Sequence, residues 1–470
     1  MPADARPERI VVVGAGLAGL RGAEAIRAAG FRGSLTIVGN EPHRPYDRPP
    51  LSKHVLTGQV AADASQLPSS LGDDVTWRLS IGAETLDREA RRLRLSNGET
   101  LPYDRLLIAT GTRARPWIHA DEAKLRNVFS IRSRDDAASL RATLAAKPKR
   151  VLVIGAGFIG CEVAAVCREL DLPVCLIDSS PSPLARALGH TIGAYIGEIH
   201  RGRGVDLRMG SEVAHLEHAD GRATGARLKD GEVLSADVVV VALGAVRNTE
   251  WMTGSGLSAD SGGVDCDDHG HVLDESGQPD RSIAAAGDVA RFPHPLYGGR
   301  RVALEHWGHA VAQAEHAGRL LVGEDLPVPY AALPNFWSIQ GDMVVKSAGL
   351  TDGADAVAIV QGDPADRRFV ALYGRAGRCI AAVAVDSARW LPAYADKVAS
   401  GAPFPRSTRR PTAPFASPRS AIRASPERLT TESNRHGRRD SPQTGQGFRQ
   451  PGESLSDLCP PPAEPCLAAG

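Results

Sequence analysis

The chain has 470 residues, 55 acidic and 55 basic side chains, and 42% apolar residues. That length leaves room for two to four domains whose cores hold without disulfides. A net charge of zero gives no support for wholesale attraction to nucleic acid or to a membrane surface. The opening MPADARPERI lacks a basic segment followed by an apolar core, and apolar runs such as VVVVAL at 238–243 are far short of a membrane span. The expected address is therefore the cytoplasm. The seven cysteines (161, 167, 175, 266, 379, 459 and 466) include no C-x-x-C pair, and neither they nor the 14 histidines fall at metal-ligand spacing. Free thiols and no metal site are expected.

In chain order, the β-branched run 10–13 leads into a G-x-G-x-x-G turn (Gly14, Gly16, Gly19), a small-residue helix over 17–29 and a second strand, SLTIVGN, over 34–40. This is one βαβ half of a doubly wound sheet. The plan returns as a strand at 151–154, a second turn (Gly155, Gly157, Gly160), a helix over 158–170 and the strand PVCLID at 173–178. One such glycine turn is a weak signal. Two, each between an apolar strand and an apolar helix, indicate two nucleotide sites and electron transfer between them.

Glycine in the turn lets the backbone approach a pyrophosphate, whose charge meets N–H groups and the positive end of the helix. An acid at the end of the second strand is placed to hold ribose hydroxyls. Asp178 has that position in the second unit, with two serines after it and no arginine before Arg186, which favours NADH over NADPH. In the first unit the strand ends VGNE, and either Asn40 or Glu41 takes the part. The proline-stiffened RPYDRPPLSK at 44–53 supplies Arg48 and Lys53, suited to one wall of a flavin.

Two strand-plus-glycine segments, DRLLIATGT at 104–112 and ADVVVVALGA at 236–245, read as crossovers into a domain boundary. SIAAAGDVARF at 282–292 puts Asp288 at the C-terminal edge of a strand, where open α/β sheets bind ligands, and 303–321 reads as a helix. From 327 short alternating strands take over, ending in a helical segment at 391–399. Beyond 401 the composition breaks: the last 70 residues hold 12 of the 33 prolines, ten Arg and no Lys, which is the signature of a disordered tail. Trp77, Trp117, Trp251 and Trp390 read as core or boundary packing, and Arg300 and Arg301 as a solvated turn.

The segments VVVGAGLAGL, YDRPPLSK, LLIATG, VLVIGAGFIGCE, AAAGDVA and NFWSIQG, in this order, resemble the FAD-dependent ferredoxin reductases that serve bacterial oxygenases, and more distantly the apoptosis-inducing factors. The resemblance covers about residues 9–400. It implies an α/β fold with two Rossmann-like dinucleotide-binding domains, an FAD domain (1–115 and 245–326) interrupted by an NAD domain (116–244), then a C-terminal α+β domain (327–400) and the tail (401–470). FAD would contact Gly14, Ala15, Gly16, Leu17, Ala18, Gly19, Asn40 or Glu41, Arg48, Lys53, Ala83, Arg132 and Asp288, with Glu305, His306 and Trp307 along the ring. NADH would contact Gly155, Gly157, Phe158, Ile159, Gly160, Glu162, Asp178 and Gly244.

The resemblance further implies a Lys53 to Glu162 ion pair beside flavin N5, and Trp337 at the flavin edge as a contact or bridge to the acceptor. With no cysteine pair at RPPLSK, electrons cannot pass to a dithiol there. The implied activity is electron transfer from NADH through FAD to a [2Fe-2S] ferredoxin feeding an oxygenase, with no nucleic acid or membrane partner. Rubredoxin, oxygen or a quinone as acceptor, and an NADH-switched interaction protein, are the alternatives.

Overall fold

The computed structural model describes residues 7–405. The first sheet has six strands, in the order His271–Leu273, Pro279–Ala285, Arg105–Ile108, Arg9–Val13, Ser34–Val38 and Val75–Arg78. All neighbours are parallel except the His271–Leu273 edge strand. Ile10 and Val12 lie level with Leu35 and Ile37 on one side and Arg105 and Leu107 on the other. Their near-continuous apolar runs are what a parallel strand covered on both faces requires.

Two helices, Leu17–Ala28 and Trp307–Leu321, pack together on this sheet. Their approach depends on missing side chains. A Cβ on Gly318 would lie 2.6 Å from the Gly22 carbonyl oxygen, and one on Gly22 would lie 2.3 Å from Leu107. The second helix starts later than the sequence suggests. His306 is extended (φ −119°, ψ 133°) and serves as N-cap, so 303–306 runs as open backbone.

The second sheet is wholly parallel, in the order Asp206–Met209, Val174–Asp178, Val151–Ile154, Val238–Val241 and Val128–Phe129. One face takes the helices Phe158–Glu169 and Ala185–Gly202; the other is covered by an antiparallel ribbon at 213–235 through Leu216, Ala226 and Leu234. The chain enters and leaves this region through a two-stranded ribbon in which Thr112–Ala114 runs antiparallel to Ala245–Arg247.

The last sheet is antiparallel, in the order Asn335–Gln340, Met343–Gly349, Arg378–Val385, Arg368–Arg375 and Ala356–Asp363. Strict alternation sends Phe369, Ala371 and Tyr373 toward the helix Ala185–Gly202, and Val370 and Leu372 toward the helix Leu391–Ala399. Both faces are thus covered, which is why these strands read as apolar.

Three expectations are corrected. The tail does not begin at 401: the Pro403 backbone bridges Arg378, the Phe404 amide donates to the Gly377 carbonyl at 2.8 Å, and its ring lies over Gly374. The rest of the expected disordered tail, 406–470, lies outside the described residues, as do Cys459 and Cys466. Trp390 is not core but 40% exposed, with Arg389 across its ring. Arg300 and Arg301 belong to a strand, paired with Asp352 and Asp265. The five described cysteines are free and buried. Among the described residues no cluster suits a metal ion, and no helix is long and apolar enough to cross a membrane.

Candidate functional site

The C-terminal ends of the first sheet's strands open into a cavity of about 420 Å³. Its floor is the first glycine turn, where each glycine has a separate steric reason. A Cβ on Gly14 (φ +121°) would lie 2.1 Å from the Ala109 carbonyl oxygen, and one on Gly19 would lie 1.8 Å from the Gly14 carbonyl oxygen. A Cβ on Gly16 would meet nothing within 4 Å. Protein packing does not explain Gly16. A ligand that comes against the backbone at the head of the helix Leu17–Ala28 does, as a pyrophosphate would.

The second turn repeats the pattern. Gly155 (φ +106°) would clash with the Ala242 carbonyl oxygen at 2.3 Å, Gly160 with that of Gly155 at 1.8 Å, and Gly157 with nothing within 4 Å. Asp178, at the end of the neighbouring strand, accepts hydrogen bonds from the Ala156 and Ser180 amides at 2.6 and 2.7 Å, so its carboxylate stands against this turn. Gly244 (φ +86°) also leaves open space beside its backbone.

One wall of the cavity is the segment 44–53 with what it binds. Arg48 donates to Glu41 and to the Arg132 carbonyl, both at 2.6 Å, and the Tyr46 hydroxyl donates to the other Glu41 oxygen. Burial alone would raise the Glu41 carboxyl; the charge and donors of Arg48, with Tyr46, hold it below its ordinary range. At the opposite wall Arg132 and the Thr112 hydroxyl both donate to Asp288, each at 3.1 Å. Next to it, burial and the Asp288 charge raise the Glu305 carboxyl, against Arg247 at 3.4 Å.

Trp307 donates its indole N–H to Asp47 at 2.8 Å and meets Trp337 edge-on, with ring centroids 6.1 Å apart. Burial raises the Asp47 carboxyl and pushes His306 down to about 4. At the back of the cavity Lys53 Nζ lies 2.7 Å from Glu162, with side chains 11% and 5% exposed. The expected pair is therefore present, and it is no surface pair of the kind worth about 0–1 kcal/mol.

Of the residues singled out from the sequence, the cavity brings together Gly14, Ala15, Gly16, Leu17, Ala18, Asn40, Glu41, Arg48, Lys53, Arg132, Phe158, Ile159, Glu162, Asp288, Glu305, His306, Trp307 and Trp337. Ala83 is not among its lining residues; it pairs with Leu95 in a separate small sheet. Gly19, Gly155, Gly157, Gly160, Asp178 and Gly244 also lie off the cavity surface. Sequence reading missed Asn248, whose side-chain amide donates to the Thr110 carbonyl at 2.8 Å while the Thr110 hydroxyl donates back to its backbone. It also missed Ser52, Phe336 and Ser338. No motif marks Asn248, whereas the other three stand inside quoted segments: alternation along the strand Asn335–Gln340 covers Phe336 and Ser338, and Ser52 ends the 3-10 turn Pro49–Ser52.

Comparison with known proteins agrees with this geometry. The pyridine nucleotide-disulphide oxidoreductase model matches residues 8–314 and the reductase C-terminal model residues 335–410. Rhodocoxin reductase of Rhodococcus erythropolis is 39% identical over 74% of this chain and 79% of its own length. The ferredoxin–NAD(+) reductase component of the anthranilate 1,2-dioxygenase system of Burkholderia cepacia is 37% identical over 86% of this chain and 97% of its own. The crystal structure of the covalent putidaredoxin reductase–putidaredoxin complex has a chain 31% identical, with a TM-score of 0.78 over 84% of this chain and 94% of that one. The chain belongs to the pyridine nucleotide-disulphide oxidoreductase family, and its homologues are ferredoxin reductases of oxygenase systems.

Proposed function

We propose that this protein carries electrons from NADH through FAD to a [2Fe-2S] ferredoxin of an oxygenase system. The observation that carries the reading is the meeting, at one cavity, of the first glycine turn with Phe158, Ile159 and Glu162, the leading residues of the helix behind the second turn. FAD supplies the chemistry of accepting two electrons as hydride and releasing them singly.

The chain's own residues then have separate tasks. Gly14–Ala18 present amide groups to the FAD pyrophosphate, and Asp288, fixed by Arg132 and Thr112, holds the ribityl side. Glu41 is already committed to Arg48 and Tyr46, so the adenosine ribose is assigned to Asn40. Lys53, held by Glu162, places a cation at the flavin edge. Glu305, His306 and Trp307 flank the ring, and Trp337 stands between it and the acceptor. The second turn, with Asp178 and Gly244, is assigned to NADH. On this reading residues 7–115 with 245–326 form the FAD domain, 116–244 the NAD domain and 327–405 the C-terminal domain, and the protein works in the cytoplasm.

The test is anaerobic. FAD-loaded protein mixed with NADH or NADPH is followed at the flavin band, then titrated with ferredoxin coupled to cytochrome c. NADH is expected to reduce the flavin faster than NADPH, and ferredoxin to outrun rubredoxin, quinone and oxygen as acceptor. A protein that cannot be loaded with FAD overturns the reading; equal rates with every acceptor overturn its ferredoxin half.

A further inference from the structure

Behind the cavity a line of buried polar side chains leads away from Lys53. Glu162 is 4% exposed, and Ser338, Gln340 and His200 are each fully buried. Polar groups at such depth are strongly disfavoured unless each finds a partner. Here they find one another. Ser52 donates to Glu162 Oε2 at 2.5 Å, beside Lys53, and Ser338 donates to Glu162 Oε1 at 2.6 Å. Gln340 Nε2 lies 3.2 Å from Ser338 Oγ, and Gln340 Oε1 lies 2.8 Å from His200 Nε2.

The chemistry of these groups fixes the polarity of the line. A carboxylate only accepts, so the Ser338 proton goes to Glu162. Its oxygen is then free to accept from the Gln340 amide nitrogen, which turns the amide oxygen to His200. That oxygen needs a donor, so His200 carries its proton on Nε2. The other ring nitrogen has no partner, as suits a neutral imidazole with one N–H. Every donor in the line therefore points toward Glu162, an arrangement in which each bond polarises the next.

The line also joins three separate parts of the chain. Ser52 and Lys53 follow the proline turn, Glu162 and His200 lie on the two helices of the second sheet, and Ser338 and Gln340 lie on the first strand of the last sheet. On that strand Trp337, the neighbour of Ser338, lines the cavity.

We propose that Ser338, with Gln340 and His200 behind it, is a positioning residue that holds the Glu162 carboxylate on Lys53 and so fixes the ammonium charge at the flavin edge. The proposal rests on reading the cavity as the flavin site. A role confined to holding the last sheet in place would lower stability and leave the flavin's properties alone, and the experiment separates the two.

Ser338→Ala, Ser338→Thr and His200→Asn are compared in FAD-loaded protein, with Ser338→Ala also placed in a Lys53→Met background. Ser338→Ala is expected to shift the equilibrium of flavin reduction about tenfold toward oxidised flavin, close to 30 mV for a two-electron couple. Ser338→Thr, which keeps the hydroxyl, should restore it, and without Lys53 the alanine should have no further effect. An unchanged flavin equilibrium in Ser338→Ala, or an effect that survives Lys53→Met, overturns the proposal. A second readout uses no flavin. In 15N-histidine spectra His200 should show a protonated Nε2 whose signal shifts in Ser338→Ala and returns in Ser338→Thr; an Nδ1-protonated ring refutes the line. Should the protein fail to load FAD, the functional reading fails while this measurement still decides the line.

Discussion

Replacing Gly16 and Gly19 separately by alanine divides what the first turn does for the fold from what it does for a ligand. At Gly19 the new methyl would lie 1.8 Å from the Gly14 carbonyl oxygen and 3.0 Å from its carbon. Both are backbone atoms that no rotamer change can move. The helix Leu17–Ala28 must then lift off the turn, a form of overpacking that costs typically 1–3 kcal/mol and more where the backbone has to shift. We expect about 3 kcal/mol, read as a lower unfolding midpoint with or without FAD. At Gly16 the φ of −99° and ψ of −162° suit any residue, and the methyl meets no protein atom. The chain alone should keep its stability, or gain the roughly 0.4–1 kcal/mol that alanine provides by restricting the unfolded state. The methyl occupies the space through which a pyrophosphate approaches the amides, so FAD affinity should fall 10- to 100-fold, about 1.4–2.7 kcal/mol. Thermal unfolding of the apoprotein and FAD titration by fluorescence quenching measure the two halves independently. If Gly16→Ala destabilises the apoprotein as much as Gly19→Ala does, or binds FAD as tightly as the parent, the assignment of the turn is wrong.

Gly157→Ala should repeat the Gly16 result one site further on, raising KM for NADH at least tenfold while FAD stays bound; loss of FAD instead would refute the division of the two turns. Lys53→Met leaves Glu162 buried with two hydroxyl donors but no cation, and breaking such a pair costs about 3–5 kcal/mol; the remaining donors place the expected loss at the lower end, with slower flavin reduction in stopped flow. Acid should weaken the fold through His200 and His309, which burial pushes down to about 4 and about 3. With folded values below the ordinary 6.5, the unfolded chain binds more protons between pH 6.5 and 4, so stability falls as pH drops through that window. Each site contributes on the order of 3 kcal/mol by pH 4, and urea midpoints that stay flat from pH 7 to 4.5 would contradict this. Trp337→Ala should slow electron delivery to ferredoxin while NADH still reduces the flavin at the parental rate; equal slowing of both steps would make it a packing residue only.

The parts of the fold visible in sequence are those whose steric rule is local. Strand 151–154, the glycines after it and the helix Phe158–Glu169 are legible because each follows from a run of β-branched residues, a positive φ or a small-residue face. The sequence extends the helix near 303–321 four residues too far because nothing local stops it. Residues 303–306 run as open backbone instead, and there Glu305 and His306 line the cavity, with His306 extended as the N-cap. Arg300 and Arg301 look like a solvated pair in sequence because Asp352 and Asp265, their partners, are distant in the chain. The ion pair of Lys53 and Glu162 was accessible only through resemblance, since 109 positions separate the two residues and no periodicity connects them.

The last sheet explains why the segment NFWSIQG carries more than its tryptophan. Successive side chains on a strand point to opposite faces. Once Trp337 is set toward the cavity, Ser338 and Gln340 are set away from it, into the seam with the helices Phe158–Glu169 and Ala185–Gly202. That seam holds two groups which cannot be left without partners, the Glu162 carboxylate and the His200 imidazole, and the two polar side chains of the strand supply both. Phe336, packed on Phe158 at a centroid distance of 4.7 Å, fixes the strand's height along the helix. A one-residue slip of this strand would present Trp337 to Glu162 and aim Ser338 at the cavity. The same register therefore places the indole in the cavity lining and the hydroxyl on the carboxylate, so one strand sets both.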